Sequence, residues 1–300
     1  MKTDPRPGKG KQQTFLKVAH DTELMKFLQD QLPDKSRNTI KSLLAHHQVS
    51  VDYKVTTQFN HPLEPGQQVV VNWGKVQLIS PKKGLRIVFE DPYIIVIEKQ
   101  PGLLSVATDK EKERTVFRIL TDQARRINPK SWIFVVHRLD RAASGLMVFA
   151  KTKDVQQLLL DSIQQGDLKR IYVAVVQGPV VLDNDTITTW LKENKALTMY
   201  SSTIPDDGQE AVTSYRVLKK NRKYSLLEIT PETERKNQIR VHMKDLGHPI
   251  VGDRKYGAEF NPINRLALHA RVLAFRHPVT GESLKFETPV PGTFSRLFGK

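Results

Sequence analysis

Two short apolar runs lie on either side of one charged segment near the middle of the chain. The first is IFVV at residues 133–136, and the second is LMVFA at residues 146–150. Both have strand length and are rich in β-branched or aromatic side chains, so the pattern predicts two buried strands. Between them, His-Arg-Leu-Asp-Arg places the carboxylate of Asp140 on a rigid connection with Arg138 and Arg141 beside it.

The neighbouring arginines favour the ionised form of Asp140, and a carboxylate nucleophile at neutral pH needs that form. A simpler interpretation exists, because an aspartate between arginines at a strand end is usually a turn residue in a surface ion pair. Taken alone, the local pattern favours the simpler interpretation. The choice therefore depends on the rest of the chain.

Changes in composition divide the chain into four parts. Residues 1–13 are polar and basic and contain Pro and Gly, which predicts a flexible tail. Residues 14–73 predict a small α/β domain, and residues 74–84, with Pro, Gly and adjacent lysines, predict a linker. Residues 85–300 predict a larger domain of the strand-rich α+β class.

The small domain is predicted to contain two helices and a short strand pair. Ser36 is placed to cap the second helix. Helical spacing groups apolar residues on one face of each helix, at Leu24, Phe27, Leu28, Ile40, Leu43 and Leu44. Alternating Val49 and Val51, and residues 69–71 after a Pro-Gly turn, predict the strands.

The larger domain alternates between segments with the apolar spacing of a helix and segments with that of a strand. Apolar residues at 87–89 and 93–97 predict strands, and residues 115–127 predict a helix. Asp154 can cap a following helix, which Gly166 ends. The apolar residues of that helix are Val155, Leu158, Leu159 and Ile163. Strands joined by a turn at Pro-Val-Thr-Gly, within residues 265–291, close the chain.

Two further elements of the larger domain present polar groups beside an apolar face. In the strand from Lys169 to Val176, period-two geometry places Arg170 and Tyr172 on one face, where a phenol and a guanidinium can stack a base and hold its phosphate. A tyrosine on a half-wet sheet surface is the alternative. Apolar residues recurring over 239–246 predict a helix, and Arg240 lies off its apolar stripe. Its guanidinium can grip a carboxylate bidentately, or it can be an ordinary surface arginine.

The charge of the chain indicates a polyanionic partner. It has 47 Lys and Arg against 32 Asp and Glu, a net charge of +15. Such an excess favours nucleic acid over a membrane surface, although a merely basic, solvated surface would give the same count. No apolar run is long enough for a membrane span, and the N-terminal residues lack the apolar core of a signal peptide, so a cytoplasmic protein is expected.

Several classes of chemistry lack their sequence signals. The chain has no cysteine, which excludes disulfides, thiol nucleophiles and Cys-based metal sites. Its nine histidines form no metal-binding pattern, and His242 and His248 are expected to be structural. Neither a Walker A sequence nor a G-x-G-x-x-G follows any predicted strand. We therefore expect no metal and no nucleotide cofactor.

Four ordered segments resemble one enzyme family. HRLDRAASGLMVFAK, residues 137–151, is similar almost residue for residue to the signature HRLD-R-x-[ST]-SGL of RNA pseudouridine synthases of the RluA/RluD type. An apolar strand leading to Lys99 and Gly102-Leu103 resembles its first motif, and RIYVAVV at 170–176 resembles its K-x-Y-x-A-x-V. ETERKNQIRVHMKDLGHPIVGDRKYG, residues 232–257, matches a further motif, with Glu234 in place of Gly and Asn237 in place of His.

This resemblance implies an α+β catalytic domain around a long, mostly antiparallel sheet, and the isomerisation of uridine to pseudouridine in RNA without a cofactor. It implies that Asp140 is the nucleophile and that Arg240 positions it. Tyr172 is expected to stack on the base and to accept the proton from carbon 5. The predicted RNA contacts of this domain are Arg138, Arg141 and Arg170. Arg138 would fill the space that the flipped base leaves, or hold the strand.

The small domain resembles an RNA-binding module first known from a ribosomal protein of the small subunit. The resemblance rests on the order helix, Ser-Arg opening a second helix, Val-x-Val-Asp, and Leu-Glu-Pro-Gly before the last strand. Lys35, Arg37 and Lys41 lie around the start of the second helix, where the helix dipole already favours a phosphate. A charge cluster alone is usually a solvated face, and the resemblance is what makes these residues predicted RNA contacts.

The expected substrate is large-subunit ribosomal RNA, with transfer RNA as the second choice. Two other functions are alternatives: an RNA-binding ribosome-assembly factor that keeps the fold without turnover, and a metal-dependent nuclease or phosphoesterase. The nuclease would need clustered carboxylates or histidines for paired metal ions, which the sequence lacks.

Overall fold

A computed structural model describes residues 13–45, 48–52, 54–73, 84–109 and 111–299. The predicted tail, except for Gln13, and the predicted linker, except for Gly84, lie outside the described residues.

Residues 13–73 form a small α/β unit with its own core. Its elements are β1 (Gln13–Lys17), β2 (Thr22–Glu23), α1 (Leu24–Gln31), α2 (Arg37–Ala45), β3 (Val49–Val51), β4 (Lys54–Val55), β5 (Pro62–Leu63) and β6 (Gln68–Asn72). Four strands form an antiparallel sheet in the order β1-β6-β3-β4. All six apolar residues predicted to lie on the helix faces are buried. The Oγ of Ser36 accepts a hydrogen bond from the amide of Thr39, which confirms the predicted cap of α2.

The unit also contains a strand that the sequence pattern did not predict. Strand β1 begins at Gln13, which was assigned to the tail, and it pairs with β6 along its whole length. Because Gln13 and Thr14 are polar, the start of this strand resembles the polar segment 1–12 in composition. Pairing with β6 supplies the hydrogen bonds that make these residues a strand.

Residues 84–299 contain the larger sheet. Its elements are β7 (Leu85–Glu90), β8 (Ile94–Lys99), α3 (Val116–Ile127), β9 (Phe134–Val135), β10 (Ser144–Ala150), α4 (Lys153–Gln164), β11 (Lys169–Gln177), β12 (Asn184–Glu193), β13 (Met199–Ser202), β14 (Gln209–Lys220), β15 (Tyr224–Pro231), α5 (Gln238–Asp245), β16 (Leu268–Arg276), β17 (Ser283–Glu287) and α6 (Gly292–Ser295). Short 3₁₀ turns lie at Arg254–Tyr256 and Arg296–Phe298.

The sheet runs in the order β13-β12-β14-β15-β11-β16-β10-β8-β7, with β17 beside β16 and β9 beside β10. Among the strands that the structure describes, only β10 and β16 pair in parallel. The α+β class and the mostly antiparallel sheet are therefore confirmed. The register aligns Gly145 on β10, Ala270 on β16 and Tyr172 on β11 across three adjacent strands.

Three details of the predicted elements are wrong. Strand β9 covers two residues rather than the four of the run 133–136, although Ile133 and Val136 are buried. The cap of α4 is Thr152, whose side chain accepts from the amide of Val155, while Asp154 lies in the first turn. Leu158 of the same helix is exposed, because the buried stripe follows Val155 and Leu159 at a spacing of four.

Candidate active site

A cavity of about 110 Å³ opens where three parts of the large sheet meet. The loop before β10, the start of β11, and the loop that leads into α5 form its walls. It is lined by Asp140, Tyr172 and Arg240, the three residues predicted to be catalytic, and by Arg138 and Arg170. The fold thus brings side chains that are 32 and 68 positions apart in sequence, 172 − 140 and 240 − 172, into one cavity. We refer to it as the Asp140 cavity.

Arg240 joins two carboxylates at the wall of this cavity. Its Nη1 donates to Oδ2 of Asp140 at 2.8 Å. Its Nε and Nη2 donate to Oδ2 and Oδ1 of Asp253 at 2.7 and 2.8 Å. The bidentate partner is therefore Asp253, whereas Asp140 accepts a single bond. The bidentate grip predicted for this guanidinium is therefore made on Asp253 and not on Asp140.

The environment of Arg240 keeps it charged. Burial opposes the charged form, but the hydrogen bonds and charge of Asp253, and then those of Asp140, outweigh it and raise the pKa of the guanidinium. The ring of Tyr256 lies 4.8 Å from the guanidinium carbon, and Oδ1 of Asn237 accepts from Nη1 at 3.2 Å. Asn237 also donates to the hydroxyl of Tyr256 at 3.0 Å. Arg240 is thus held from four sides, which fixes its orientation toward Asp140.

The loop that carries Asp140 is held by backbone contacts to the segment after β8. Oγ of Ser105 donates to the carbonyl of Leu139 at 2.6 Å and accepts from the amide of Leu139 at 3.0 Å. The amide of Gly102 donates to the carbonyl of Arg141 at 2.7 Å. These bonds fix the backbone on both sides of Asp140, so its carboxylate lies on a rigid support.

Lys99, at the end of β8, strengthens the same connection from inside the core. It is fully buried, and its Nζ lies within 3.3 Å of the carbonyl oxygens of Gln100, Leu103, Arg141 and Ala143. Burial lowers its pKa to about 7, while the charge of Asp140 opposes that shift. The side chain ties the loop that carries Asp140 to residues 100–103.

Gly145 explains how β10 can approach β16 directly after this loop. Its φ is +120°, and a Cβ at this position would lie 2.2 Å from the carbonyl oxygen of Ala270. No side chain fits there, and an L-residue would also be strained at this φ. The glycine of the SGL in the central motif is therefore required by the parallel pairing of β10 with β16.

Tyr172 lies at the back of the cavity and is 7% exposed. Burial raises the pKa of its phenol, Arg170 opposes the shift, and Asp140 adds to it. The phenol is therefore neutral at neutral pH. Its ring and the carboxylate of Asp140 face the same space.

The predicted RNA contacts occupy different environments. Arg138 is exposed at the cavity, and Arg170 is buried there and forms an ion pair with Glu234. Arg141 is exposed and its Nε donates to the carbonyl of Gly102 at 3.1 Å, so it supports the Asp140 loop. It is not among the residues that line the cavity.

In the small unit, Arg37 and Lys41 are exposed on α2. Lys35 pairs with Asp34 at 2.7 Å, and its Nζ lies 5.3 Å from the centre of the Trp73 ring. Two of these three predicted contacts therefore present their charge to solvent, and the third is partly occupied within the protein.

Sequence reasoning missed Asp253, Lys99 and Glu234 as parts of the site. Asp253 and Lys99 lie inside quoted motifs, and both are charged residues that follow apolar stretches. Such positions are seldom buried without a partner, which is the signal that could have identified them. The partner itself depends on the fold, since Asp253 is 13 residues from Arg240 and Lys99 contacts residues up to 44 positions away.

Comparison with known proteins places this chain in one family. The family model described as "RNA pseudouridylate synthase" matches residues 93–245. The uncharacterised RNA pseudouridine synthase YlyB of Bacillus subtilis is 32% identical over 279 residues, 91% of this chain and 91% of that protein. The ribosomal large subunit pseudouridine synthase D of Neisseria meningitidis serogroup B is 32% identical over 282 residues, 89% of this chain and 75% of that protein.

A solved structure, human RNA pseudouridylate synthase domain containing 4, has the same fold. It gives a TM-score of 0.58 at 24% identity and covers 70% of this chain and 90% of its own. The family match defines an isomerase that acts on RNA. The chain belongs to the RNA pseudouridylate synthase family and converts uridine to pseudouridine in RNA. No helix of the described residues has the length and apolar character needed to cross a bilayer.

Proposed function

We propose that this enzyme isomerises uridine in large-subunit ribosomal RNA with Asp140 as its catalytic carboxylate. The observation that carries the proposal is the chain of contacts from Asp253 through Arg240 to Asp140 at the wall of the cavity. A carboxylate that accepts a hydrogen bond from a fixed guanidinium is held in one orientation. Its side chain is 35% exposed, so a substrate can reach it.

The reaction breaks the bond between ring nitrogen 1 and the ribose, turns the uracil, and joins ring carbon 5 to the ribose. Asp140 acts as the nucleophile or base that loosens the glycosidic bond. The proton on carbon 5 is released, and the nitrogen regains one, so the atoms balance without a co-reactant. A neutral Tyr172 offers its ring as a stacking platform for the base. For it to accept the carbon 5 proton, the phenol must first lose its own, which its raised pKa opposes.

A uridine inside a helix or a stacked loop must leave its neighbours to enter this cavity, at a cost of a few kcal/mol. Arg138, exposed at the cavity, is proposed to fill the vacated space or to hold the strand beside it. The small unit is proposed to add phosphate contacts through Arg37 and Lys41, which lie in the first turns of α2. Those contacts would add affinity that does not depend on sequence.

Large-subunit ribosomal RNA is the proposed substrate because several relatives are named ribosomal large subunit pseudouridine synthases. Besides the protein of Neisseria meningitidis, the ribosomal large subunit pseudouridine synthase D of Pseudomonas aeruginosa is 36% identical over 224 residues. The net charge of +15 suits a large, structured polyanion. Transfer RNA is the alternative substrate.

The proposal is tested by tritium release from RNA labelled at uridine carbon 5. Unmodified transcripts of large-subunit ribosomal RNA and of transfer RNA are assayed separately with the wild type, Asp140→Asn and Asp154→Asn. We expect release from the ribosomal transcript by the wild type and by Asp154→Asn, which changes an exposed aspartate of α4. Asp140→Asn should bind RNA but release no tritium.

Each other outcome has a definite meaning. Release by Asp140→Asn at a substantial fraction of the wild-type rate would remove Asp140 from the catalytic role. Release from transfer RNA alone would make transfer RNA the substrate in place of ribosomal RNA. Release by none of the three proteins from either transcript, with binding intact, would favour the alternative of a non-catalytic RNA-binding factor.

A further inference from the structure

Arg170 and Glu234 form an ion pair in the wall of the Asp140 cavity that the proposed reaction does not use. Arg170 comes from β11, two residues before Tyr172, and Glu234 comes from the loop between β15 and α5. Both line the same cavity as Asp140. The Arg170 side chain is 7% exposed, whereas that of Glu234 is 34% exposed. The carboxylate is thus the partner that solvent and substrate reach more easily.

Arg170 is a buried cation with unused hydrogen-bonding capacity. Burial lowers its pKa, although not enough to remove the charge of a guanidinium at neutral pH. Within the part of the chain that the structure describes, its Nε is buried without an acceptor. A buried donor without a partner costs free energy, and a buried charge needs a counter-ion. Glu234 supplies the counter-ion, while the buried Nε has no acceptor among the described residues.

Glu234 is directed at Arg170 by its neighbours rather than by a helix or strand. Oγ1 of Thr233 accepts from the amide of Val212 at 2.9 Å and donates to Oε1 of Gln238 at 2.9 Å. Nε of Arg235 donates to the carbonyl of Glu210 at 2.8 Å. The amide of Arg235 also donates to Oε1 of Gln238 at 3.0 Å, so the backbone next to Glu234 is anchored to α5. The side chain can turn away without moving that backbone, because Glu has three rotatable bonds.

The pocket walls carry a surplus of positive charge around this pair. The charged residues that line the cavity are Arg138, Arg170, Arg235 and Arg240, with Asp140 and Glu234 opposing them. Asp140 is held by Arg240, so Glu234 is the one acidic side chain of the described lining that a ligand can displace from a cation without disturbing Asp140. A carboxylate and a phosphodiester make the same contacts with a guanidinium.

We propose that Glu234 is an internal counter-ion that occupies Arg170 in the free enzyme and is displaced by a phosphate next to the target uridine. The proposal deepens the proposed function and rests on RNA entering the Asp140 cavity. In this role Glu234 lowers the affinity for RNA, because the ion pair must break before Arg170 can bind a phosphate of the RNA backbone. An RNA whose uridine enters the cavity recovers that cost, because its phosphate replaces the carboxylate. An RNA that only touches the surface does not compete for Arg170 at all.

The test compares Glu234→Gln with Glu232→Gln. Both remove one negative charge from the same loop, and Glu232 is exposed and bonded to Ser214 outside the cavity. Binding of an unmodified large-subunit ribosomal transcript is measured by filter retention in the Asp140→Asn background, so that no turnover occurs. We expect Glu234→Gln to lower Kd roughly five- to tenfold, which corresponds to about 1.0 to 1.4 kcal/mol, and Glu232→Gln to leave it nearly unchanged.

Kinetics with Asp140 intact give a second readout. Glu234→Gln should lower KM for tritium release and leave kcat within about twofold, since the change affects binding rather than the reacting atoms. A third variant, Arg170→Met, removes the cation. If Arg170→Met folds, adding Glu234→Gln to it should give no gain in affinity, because the two residues act as one unit.

Equal Kd values for Glu234→Gln and Glu232→Gln would overturn the proposal, as would weaker binding by Glu234→Gln, which would make Glu234 a ligand of the RNA. These outcomes do not depend on Arg170→Met being stable. Failure of the proposed function is distinguishable, because it would appear in the tritium assay: as release by Asp140→Asn, as release from transfer RNA alone, or as no release by the wild type.

Discussion

Asp253 accepts two hydrogen bonds from Arg240, through Nε and Nη2, and thereby directs the remaining Nη1 of the same guanidinium at Asp140. Asp253 is almost completely buried, with 1% of its side chain exposed, while Asp140 is 35% exposed. The buried carboxylate thus compensates the charge of Arg240, and the exposed one remains available to a substrate. This division of roles leads to the first two predictions.

Asp253→Asn should lower kcat without removing RNA binding. The amide keeps at most one of the two bonds to Arg240, so the guanidinium gains freedom and Asp140 loses its fixed orientation. We expect kcat to fall roughly 10- to 100-fold, since small displacements of a reacting group cost that much. Tritium release measures it. Asp245→Asn, at the exposed end of α5, is the matched control. Unchanged kcat in Asp253→Asn would mean that Asp140 needs no such support.

Arg240→Lys retains the positive charge and loses the fork. A single ammonium cannot hold Asp253 bidentately and reach Asp140 with a third donor. We expect kcat to fall roughly 100-fold, with KM for RNA changing less. Arg254→Lys, which changes an exposed arginine close by in sequence, should behave as the wild type. A KM effect without a kcat effect would assign Arg240 to RNA binding instead.

Gly145→Ala should destabilise the protein. The new Cβ meets the carbonyl oxygen of Ala270 at 2.2 Å and the backbone is held at a φ of +120°. We expect the free energy of unfolding to drop by roughly 2–5 kcal/mol, as strain and overpacking add. Gly281→Ala is the control, since its φ of +73° is also strained but no atom lies within 4 Å. Urea denaturation of both variants should place Gly145→Ala well below Gly281→Ala. Equal losses would show that backbone strain alone matters.

His269 should make stability fall as the pH is lowered. Burial, and then the charges of Arg265 and Arg271, lower its pKa from 6.5 to about 4. Between these values the unfolded chain binds a proton that the folded protein does not, so stability is present above pH 6.5 and is lost toward pH 4. The loss from this group is at most on the order of 3 kcal/mol.

His269→Gln tests this assignment. Glutamine can still bond with Ser144 and Thr288, the two partners of the ring at 2.7 and 2.8 Å, but it has no proton to gain. The variant should be less stable than the wild type at pH 7 and should lose less on acidification. Urea denaturation at pH 7, 5.5 and 4.5 measures both. An unchanged slope between pH 6.5 and 4 would assign the acid sensitivity to other groups, such as His242, whose pKa is also lowered to about 4 by burial.

The proposed role of the small unit predicts a change in salt dependence. Arg37→Gln with Lys41→Gln should weaken binding of the ribosomal transcript and reduce the slope of log K against log salt by roughly 0.7–0.9 per lost phosphate contact. Lys17→Gln with Lys26→Gln removes the same charge from exposed positions elsewhere in the unit. A slope that changes equally in both pairs would indicate a general charge effect, and an unchanged slope would remove α2 from RNA binding.

The sequence by itself determined the family and many of the helices and strands. Helices α1, α2 and α3, and the strand segments at the centre of the large sheet, follow from apolar periodicity, which reports burial at each position and needs no knowledge of the neighbours. The reaction followed from the resemblance of residues 137–151 to the signature of one enzyme family, which extends over almost every residue of the segment. The pattern failed where pairing decides the outcome, as in β1, whose polar start is a strand only because β6 lies beside it.

Only the tertiary structure decided how the charged residues of the site are matched. A buried charge needs a partner of opposite charge or a set of hydrogen bonds. The sequence pattern can predict that such a partner exists, but not which residue it is. Arg240 binds both Asp253 and Asp140, and Lys99 donates to carbonyls of the loop after Asp140. Arg170 pairs with Glu234, which is 64 positions away in sequence, 234 − 170. These choices depend on distances of a few ångströms between elements that are remote along the chain, which only the packing of the sheet and α5 fixes.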